Sequence, residues 1–145
     1  MTTSSARTAT TTSAELVTRS PEETERAGEE LAGRLRAGDL LLLEGPLGAG
    51  KTTFVRGLAR GLGSTADVMS PTFQLVRVYP GRLQLAHVDL FRLDAGAGLD
   101  DLALDELLDQ GVVVVEWGDR LPAAAGRRIT LEAVDESTRR LRWTW

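Results

Sequence analysis

A three-layer α/β fold, with helices on both faces of a mixed, partly antiparallel sheet of about seven strands, is predicted by three observations in this 145-residue chain. First, residues 39–44 (Asp-Leu-Leu-Leu-Leu-Glu) and 112–115 (four valines) are short unbroken apolar runs. Parallel strands covered on both faces read that way. Second, Gly45-Pro46-Leu47-Gly48-Ala49-Gly50-Lys51-Thr52 follows the first of these runs and precedes a helical stripe. It matches G-x-x-x-x-G-K-[ST], the loop whose backbone amides cradle phosphate. Third, residues 73–89 and 128–145 each read as a pair of strands joined by a turn, which adds antiparallel pairing. Taken together, these three predict the fold of P-loop nucleoside triphosphatases.

The elements follow in order. Residues 15–18 make a short strand. Ser20-Pro21-Glu22-Glu23 signals a helix start, with Ser20 as N-cap, Pro21 in the first helical position and Glu23 completing a capping box. Thr24, Ala27, Gly28, Leu31 and Leu35 form the buried stripe of that helix. Ala37-Gly38-Asp39 turns the chain into the Leu-rich strand. After the loop, Phe54, Val55, Leu58, Ala59 and Leu62 lie on one helix face, and Gly61 and Gly63 end that helix. Residues 73–79 form a strand, Pro80-Gly81 a turn, and residues 82–89 the return strand. Pro-Gly suits a type II turn, so a loop longer than two residues, or a bulge, is expected. Residues 95–98 are a loop, 99–110 an acidic helix and 121–126 a loop or short helix. Residues 128–134 and 139–145 form a terminal hairpin.

Composition narrows the functional classes. The length suits one domain, residues 14–145, preceded by a Thr/Ser/Ala-rich tail at residues 1–13 that reads as disordered. The net charge of −4 and the lack of a dense basic run argue against broad nucleic-acid binding. Arg127-Arg128 and Arg139-Arg140-Leu141-Arg142 are better read as charges on a solvated hairpin than as a basic face. The absence of cysteine excludes disulfides and thiolate metal sites and fits a cytoplasmic protein. No apolar stretch approaches membrane-spanning length.

The chemistry starts from lysine usage. Of 17 basic residues, Lys51 alone is lysine, and it occupies the one loop position where a compact ammonium suits β- and γ-phosphate oxygens better than a planar fork. In the same loop, Gly45, Gly48, Ala49, Gly50, Lys51, Thr52 and Thr53 are the candidate phosphate binders, with the Thr52 hydroxyl toward Mg²⁺. A phosphate loop needs an acid at the end of a neighbouring strand to hold that metal. Glu116, directly after the four valines, and Asp89, ending Leu85-Ala86-His87-Val88-Asp89, are the candidates. His87 is the chain's single histidine. It reads as a hydrogen-bonded core residue, or as one that orients Asp89 or water. Trp117 packs in the core or walls the nucleotide site, and Thr72 offers a switch-like hydroxyl. The chain contains no asparagine, so the Asn-Lys-x-Asp element of guanine recognition is missing and adenine is the expected base.

These stretches, together with Ser70-Pro71-Thr72-Phe73, His87-Val88-Asp89-Leu90-Phe91-Arg92 and Val115-Glu116-Trp117, resemble the TsaE (YjeE) family, the bacterial ATPases of tRNA threonylcarbamoyladenosine formation. The resemblance runs from about residue 15 to residue 117 and more loosely to the C-terminus. It implies that Lys51 and Thr52 bind ATP phosphates and Mg²⁺, that Glu116 is a further Mg²⁺ ligand, and that Asp89 is needed for hydrolysis. It implies Ser20 and Thr24 beside the adenine. It also implies TsaD-like and TsaB-like protein partners, which modify adenosine 37 of tRNA and bring tRNA to this chain only indirectly. Phe91 departs from the family's usual Tyr. Two other readings stay open from the residues alone. One is a small nucleoside or nucleotide kinase, for which the short connections leave little room. The other is a nucleotide-switched binding module without turnover.

Overall fold

A computed structural model describes residues 13–46, 48–65, 76–89, 104–116 and 126–144. Its elements in chain order are β1 (Ser13–Thr18), α1 (Pro21–Ala32), β2 (Leu40–Glu44), α2 (Lys51–Gly61), β3 (Val76–Tyr79), β4 (Gln84–Asp89), α3 (Leu104–Gln110), β5 (Gly111–Glu116), β6 (Arg127–Ala133) and β7 (Arg139–Thr144). The strands form one seven-stranded sheet ordered β1-β7-β6-β2-β5-β4-β3. Pairing of β2 with β5 and β6, and of β4 with β5, is parallel. The β3–β4, β6–β7 and β1–β7 pairs are antiparallel.

The sheet divides two apolar clusters, and this division makes the three layers. Leu41, Leu43, Leu85, Val112, Val114, Ile129, Leu131 and Leu141 face α1 and α2, which contribute Ala32, Phe54, Val55, Leu58 and Ala59. Leu40, Leu42, Ala86, Val88, Val113 and Val115 face the other way, against Leu104, Leu107 and Leu108 of α3. Both faces of β2 and β5 are thus covered, which is why those strands read as unbroken apolar runs. The mixed, three-layer architecture expected from the sequence is the one found.

Some boundaries differ. Four residues separate β3 from β4, in keeping with a connection longer than a two-residue hairpin. The return strand starts at Gln84 rather than residue 82, because the Arg82 guanidinium donates to the Gly61 carbonyl at 2.8 Å and holds the chain against the end of α2. The acidic helix is described from Leu104; residues 95–103 of that expectation lie outside the described residues, as do residues 1–12 of the tail and 121–125 of the expected loop. The start of α1 also differs from a reciprocal capping box. Ser20 accepts from the Glu23 N–H at 3.1 Å, but Glu23 takes the N–H of Arg19, one residue before the cap, at 2.9 Å.

The terminal hairpin places Arg128, Arg140 and Arg142 on the side of the sheet away from α1 and α2. They do not form a bare basic face. Arg128 pairs with Glu44, Arg140 with Glu132 and Glu15, and Arg142 with Glu15. Exposed pairs of this kind contribute about 0–1 kcal/mol each, so their main effect is to cancel charge on the sheet surface. Among the described residues no helix is long and apolar enough to cross a membrane.

Candidate functional site

The site lies where the chain reverses its direction of strand growth. From the central strand β2 the sheet grows one way to β5 and β4 and the other way to β6, all four parallel. Their C-terminal ends therefore open on one edge of the sheet, and a crevice at such a switch point is where open α/β sheets bind ligands. The 45–52 loop leaves β2 at that edge. Asp89 ends β4 and Glu116 ends β5, and the two are register partners. Glu116 is in turn the register partner of Leu43. Two acids separated by 27 positions in the chain thus end adjacent strands beside the loop, because β4 and β5 run parallel and in register.

The loop's backbone is set by glycine. Gly48 and Gly50 have φ of +81° and +96°, values that side-chain-bearing residues rarely adopt. Nothing lies within 4 Å of where a Gly48 Cβ would stand, so the residue is glycine for its backbone and not for lack of room. Gly50 is the left-handed N-cap of α2, which has no side-chain cap and no acid in its first turn. Helix α1 offers the contrast: Ser20 caps it and Glu22 and Glu23 sit in its first turn. The positive end of the α2 dipole is therefore left for an anion from outside the helix. Lys51 is 5 % exposed, and its ammonium donates to the Gly45 carbonyl at 2.6 Å, folded back over the loop.

An open cleft beside the loop is lined by Ser20, Pro21, Thr24, Gly50, Thr53, Glu136, Ser137 and Arg139. Ser20, Thr24, Gly50 and Thr53 were expected at the site, whereas Glu136, Ser137 and Arg139 were not read from the sequence as part of it. Ser20 and Thr24 come from the N-cap and first turns of α1, Gly50 and Thr53 from the loop and α2, Glu136 and Ser137 from the turn after β6, and Arg139 from the start of β7. Because β6 runs parallel to β2, its turn emerges at the same edge as the loop. Thr24 is buried and its hydroxyl is shared with Thr18 at 2.6 Å, which turns its methyl toward Gly50. The guanidinium of Arg139 donates to the carbonyls of Asp135 and Thr138 at 2.7 and 3.0 Å, and is held along the turn beside Gly50. No local pattern marks a hairpin arginine as a site residue; the parallel register of β6 is what brings it here.

The turn itself is held by Asp135. Its carboxylate accepts from the N–H groups of Ser137 and Thr138 at 3.0 and 2.8 Å. The Ser137 N–H, then the Thr138 hydroxyl and N–H, favour the charged form and hold this carboxyl below the usual aspartate range. A folded-state pKa below the unfolded one gives a hold that is complete at neutral pH and is lost as pH falls through the lowered value. Protection of the Ser137 and Thr138 amides, taken against the intrinsic exchange rate at each pH, is expected to be full at neutral pH and to be lost only below the ordinary aspartate range. Asp135→Ala is expected to remove that protection at every pH.

Opposite the loop, His87 is fully buried and its Nε2–H donates to Oε2 of Glu116, itself 5 % exposed. Nδ1 of His87 has no partner among the described residues. Of the candidate residues, the structure thus brings together Gly45, Gly48, Ala49, Gly50, Lys51, Thr52, Thr53, Ser20, Thr24 and Glu116, with the Asp89 backbone in register beside Glu116. Thr72 and Trp117 lie outside the described residues.

The donor set suits a triphosphate with a hard divalent cation. Left-handed glycines, a helix N-terminus without acids and a buried ammonium all favour phosphate oxygens, and Thr52 and Glu116 offer the oxygen ligands that Mg²⁺ prefers. Among the described residues no group of three His, Cys, Asp or Glu could cage a metal by itself. A cation that takes its other ligands from phosphate and water fits that arrangement.

Comparison with known proteins agrees with this geometry. The family model described as "Threonylcarbamoyl adenosine biosynthesis protein TsaE" matches residues 18–141. A tRNA threonylcarbamoyladenosine biosynthesis protein TsaE of Streptomyces coelicolor is 52% identical over 96 residues, 63% of this chain and 65% of that protein. Its namesake in Mycobacterium bovis is 41% identical over 138 residues, 86% of this chain and 82% of that protein. The crystal structure of YdiB from Bacillus subtilis superposes with a TM-score of 0.75 at 35% identity, over 93% of this chain and 86% of that one. The fold is that of the P-loop nucleoside triphosphatases, and the chain belongs to the TsaE family.

Proposed function

We propose that this chain is the ATP-binding and ATP-hydrolysing subunit of tRNA threonylcarbamoyladenosine formation, a cytoplasmic protein that drives or resets an assembly of TsaD-like and TsaB-like partners acting on adenosine 37 of tRNA. The observation that carries the reading is the buried Lys51 ammonium folded over a left-handed glycine loop, at the sheet edge where parallel strands end in Glu116 and Asp89. Family membership and the names of the relatives support the biosynthetic context.

The residues divide the work. Loop amides from Gly45, Gly48, Ala49 and Gly50 and the Lys51 ammonium bind the β- and γ-phosphates and offset charge that builds up on transfer. Thr52 and Glu116 hold Mg²⁺, which when bound neutralises the phosphate oxygens. Thr53 supports the α-phosphate end. Ser20 and Thr24 form the floor under the adenine, with Trp117 as a wall. Asp89 and Thr72 position the attacking water or the metal's shell. The short connections after the core strands leave little room for a lid and an acceptor segment, which sets the kinase reading second.

The test is phosphate release from the chain alone and with TsaD-like and TsaB-like proteins added. Slow release alone and faster release with the partners is expected; no release in either case would leave a binding switch in place of an ATPase. Glu116→Gln, which keeps the shape of a buried side chain, is expected to lower Mg²⁺-dependent turnover by about 100-fold while ATP affinity without metal stays within a few-fold.

A further inference from the structure

We propose that His87 is a positioning residue for Glu116, pinning its carboxylate so that the free oxygen is aimed for the divalent cation. The inference rests on the metal-ATP reading above and deepens it. Nothing in the family match or the relatives' names assigns His87 a role.

A carboxylate taken out of water has to be paired. Glu116 is almost completely buried at the end of β5, and among the described residues its carboxylate has one partner, Nε2 of His87. That partner cannot drift. Its ring is wholly buried on β4, the strand hydrogen-bonded in parallel to β5, with flanking Ala86 and Val88 also in the core. The far nitrogen of the ring, Nδ1, is buried without a partner among the described residues. Among those residues the ring's bond is to the acid. A carboxylate accepts at about four lone-pair sites, so one bond at Oε2 leaves Oε1 open to a cation. Outer partners of metal-ligating carboxylates orient them, and their loss costs about 10- to 100-fold in metal affinity or activity.

Because His87 is the only histidine in the chain, a ¹⁵N-imidazole spectrum reports this one ring. The experiment measures ATP affinity in EDTA and in saturating Mg²⁺ for the parent, His87→Leu, which fills the space without a donor, and His87→Gln, which restores an N–H donor. The expected result is that the gain in affinity on adding Mg²⁺ falls about 10-fold or more in His87→Leu and recovers in His87→Gln, with metal-free affinity unchanged in both. An undiminished Mg²⁺ gain in His87→Leu overturns the inference and leaves the ATP reading standing. A parent that binds no ATP overturns that reading and the inference with it. Should the buried substitutions fail to fold, the ring decides the matter in chains that keep His87. The Nε2 resonance is expected to move between the parent and Glu116→Gln, and to move again when Mg²⁺·ATP is added to the parent; a resonance unchanged in both comparisons overturns the proposal.

Discussion

Lys51→Ala is expected to lose most of its ATP affinity, by roughly 30- to 5,000-fold. The range corresponds to about 2–5 kcal/mol for truncating one partner of a buried charge pair. The ammonium is held almost out of solvent over the loop, so its attraction for phosphate is little weakened by water, and no other lysine exists to replace it. Lys51→Arg is expected to recover little of this loss, since a planar fork does not fit where a point charge bonded to the Gly45 carbonyl does. Titration calorimetry with ATP and Mg²⁺ measures both. Binding by Lys51→Ala at the parent's strength would falsify the assignment of the loop. The fold should survive, because Lys51 sits at the loop and its hydrogen bond to the Gly45 carbonyl is local to it.

Gly57→Ala is expected to cost about 3 kcal/mol of stability and to lower the melting temperature by roughly 10 °C. The reason is backbone contact between helices. A Cβ on Gly57 would overlap the Glu25 carbonyl of α1, and a Cβ on Gly28 would overlap the Phe54 carbonyl of α2. Neither neighbour is a side chain that can rotate away, so α1 and α2 must separate. Gly33→Ala is the control: its φ is −65°, its nearest neighbour would stand at 3.4 Å, and the change should be neutral or stabilise by about 0.4–1 kcal/mol. Thermal melts followed by circular dichroism compare the two, and a Gly57→Ala midpoint within about 2 °C of the parent would show that the helices do not touch as described. The same separation would carry Ser20 and Thr24 away from Gly50, so Gly57→Ala should also weaken ATP binding although residue 57 touches no nucleotide.

That coupling shows where reading the chain stops. Helix α2 was legible from Phe54, Val55, Leu58 and Ala59, but the apolar stripe says nothing about Gly57, which has no side chain to count. Gly28 was read as part of a buried face and is buried, yet which backbone it meets depends on a helix 29 positions away. The start of α1 was found from Ser20 and Pro21, while the partner of Glu23 shifted by one residue because cap geometry follows the entering chain. Arg128, Arg140 and Arg142 of the terminal hairpin lie on the sheet surface as read, while Arg139 lies beside Gly50 instead, and the glutamate partners on β1 and β2 appear only once the strands are aligned.

The sequence by itself determined the phosphate loop, the two covered strands beside it and the two acids that end β4 and β5. These are local matters: glycine's freedom at positive φ, an unbroken apolar run, one lysine among arginines. Only the tertiary structure decided that His87 bonds to Glu116, that Arg139 lies beside Gly50, and that α1 stands close enough to wall the cleft. Those depend on the parallel register of β4 with β5 and of β6 with β2, and on the glycine contact of α1 with α2. Register and helix approach are set by packing across the whole sheet, and no local window of residues contains them.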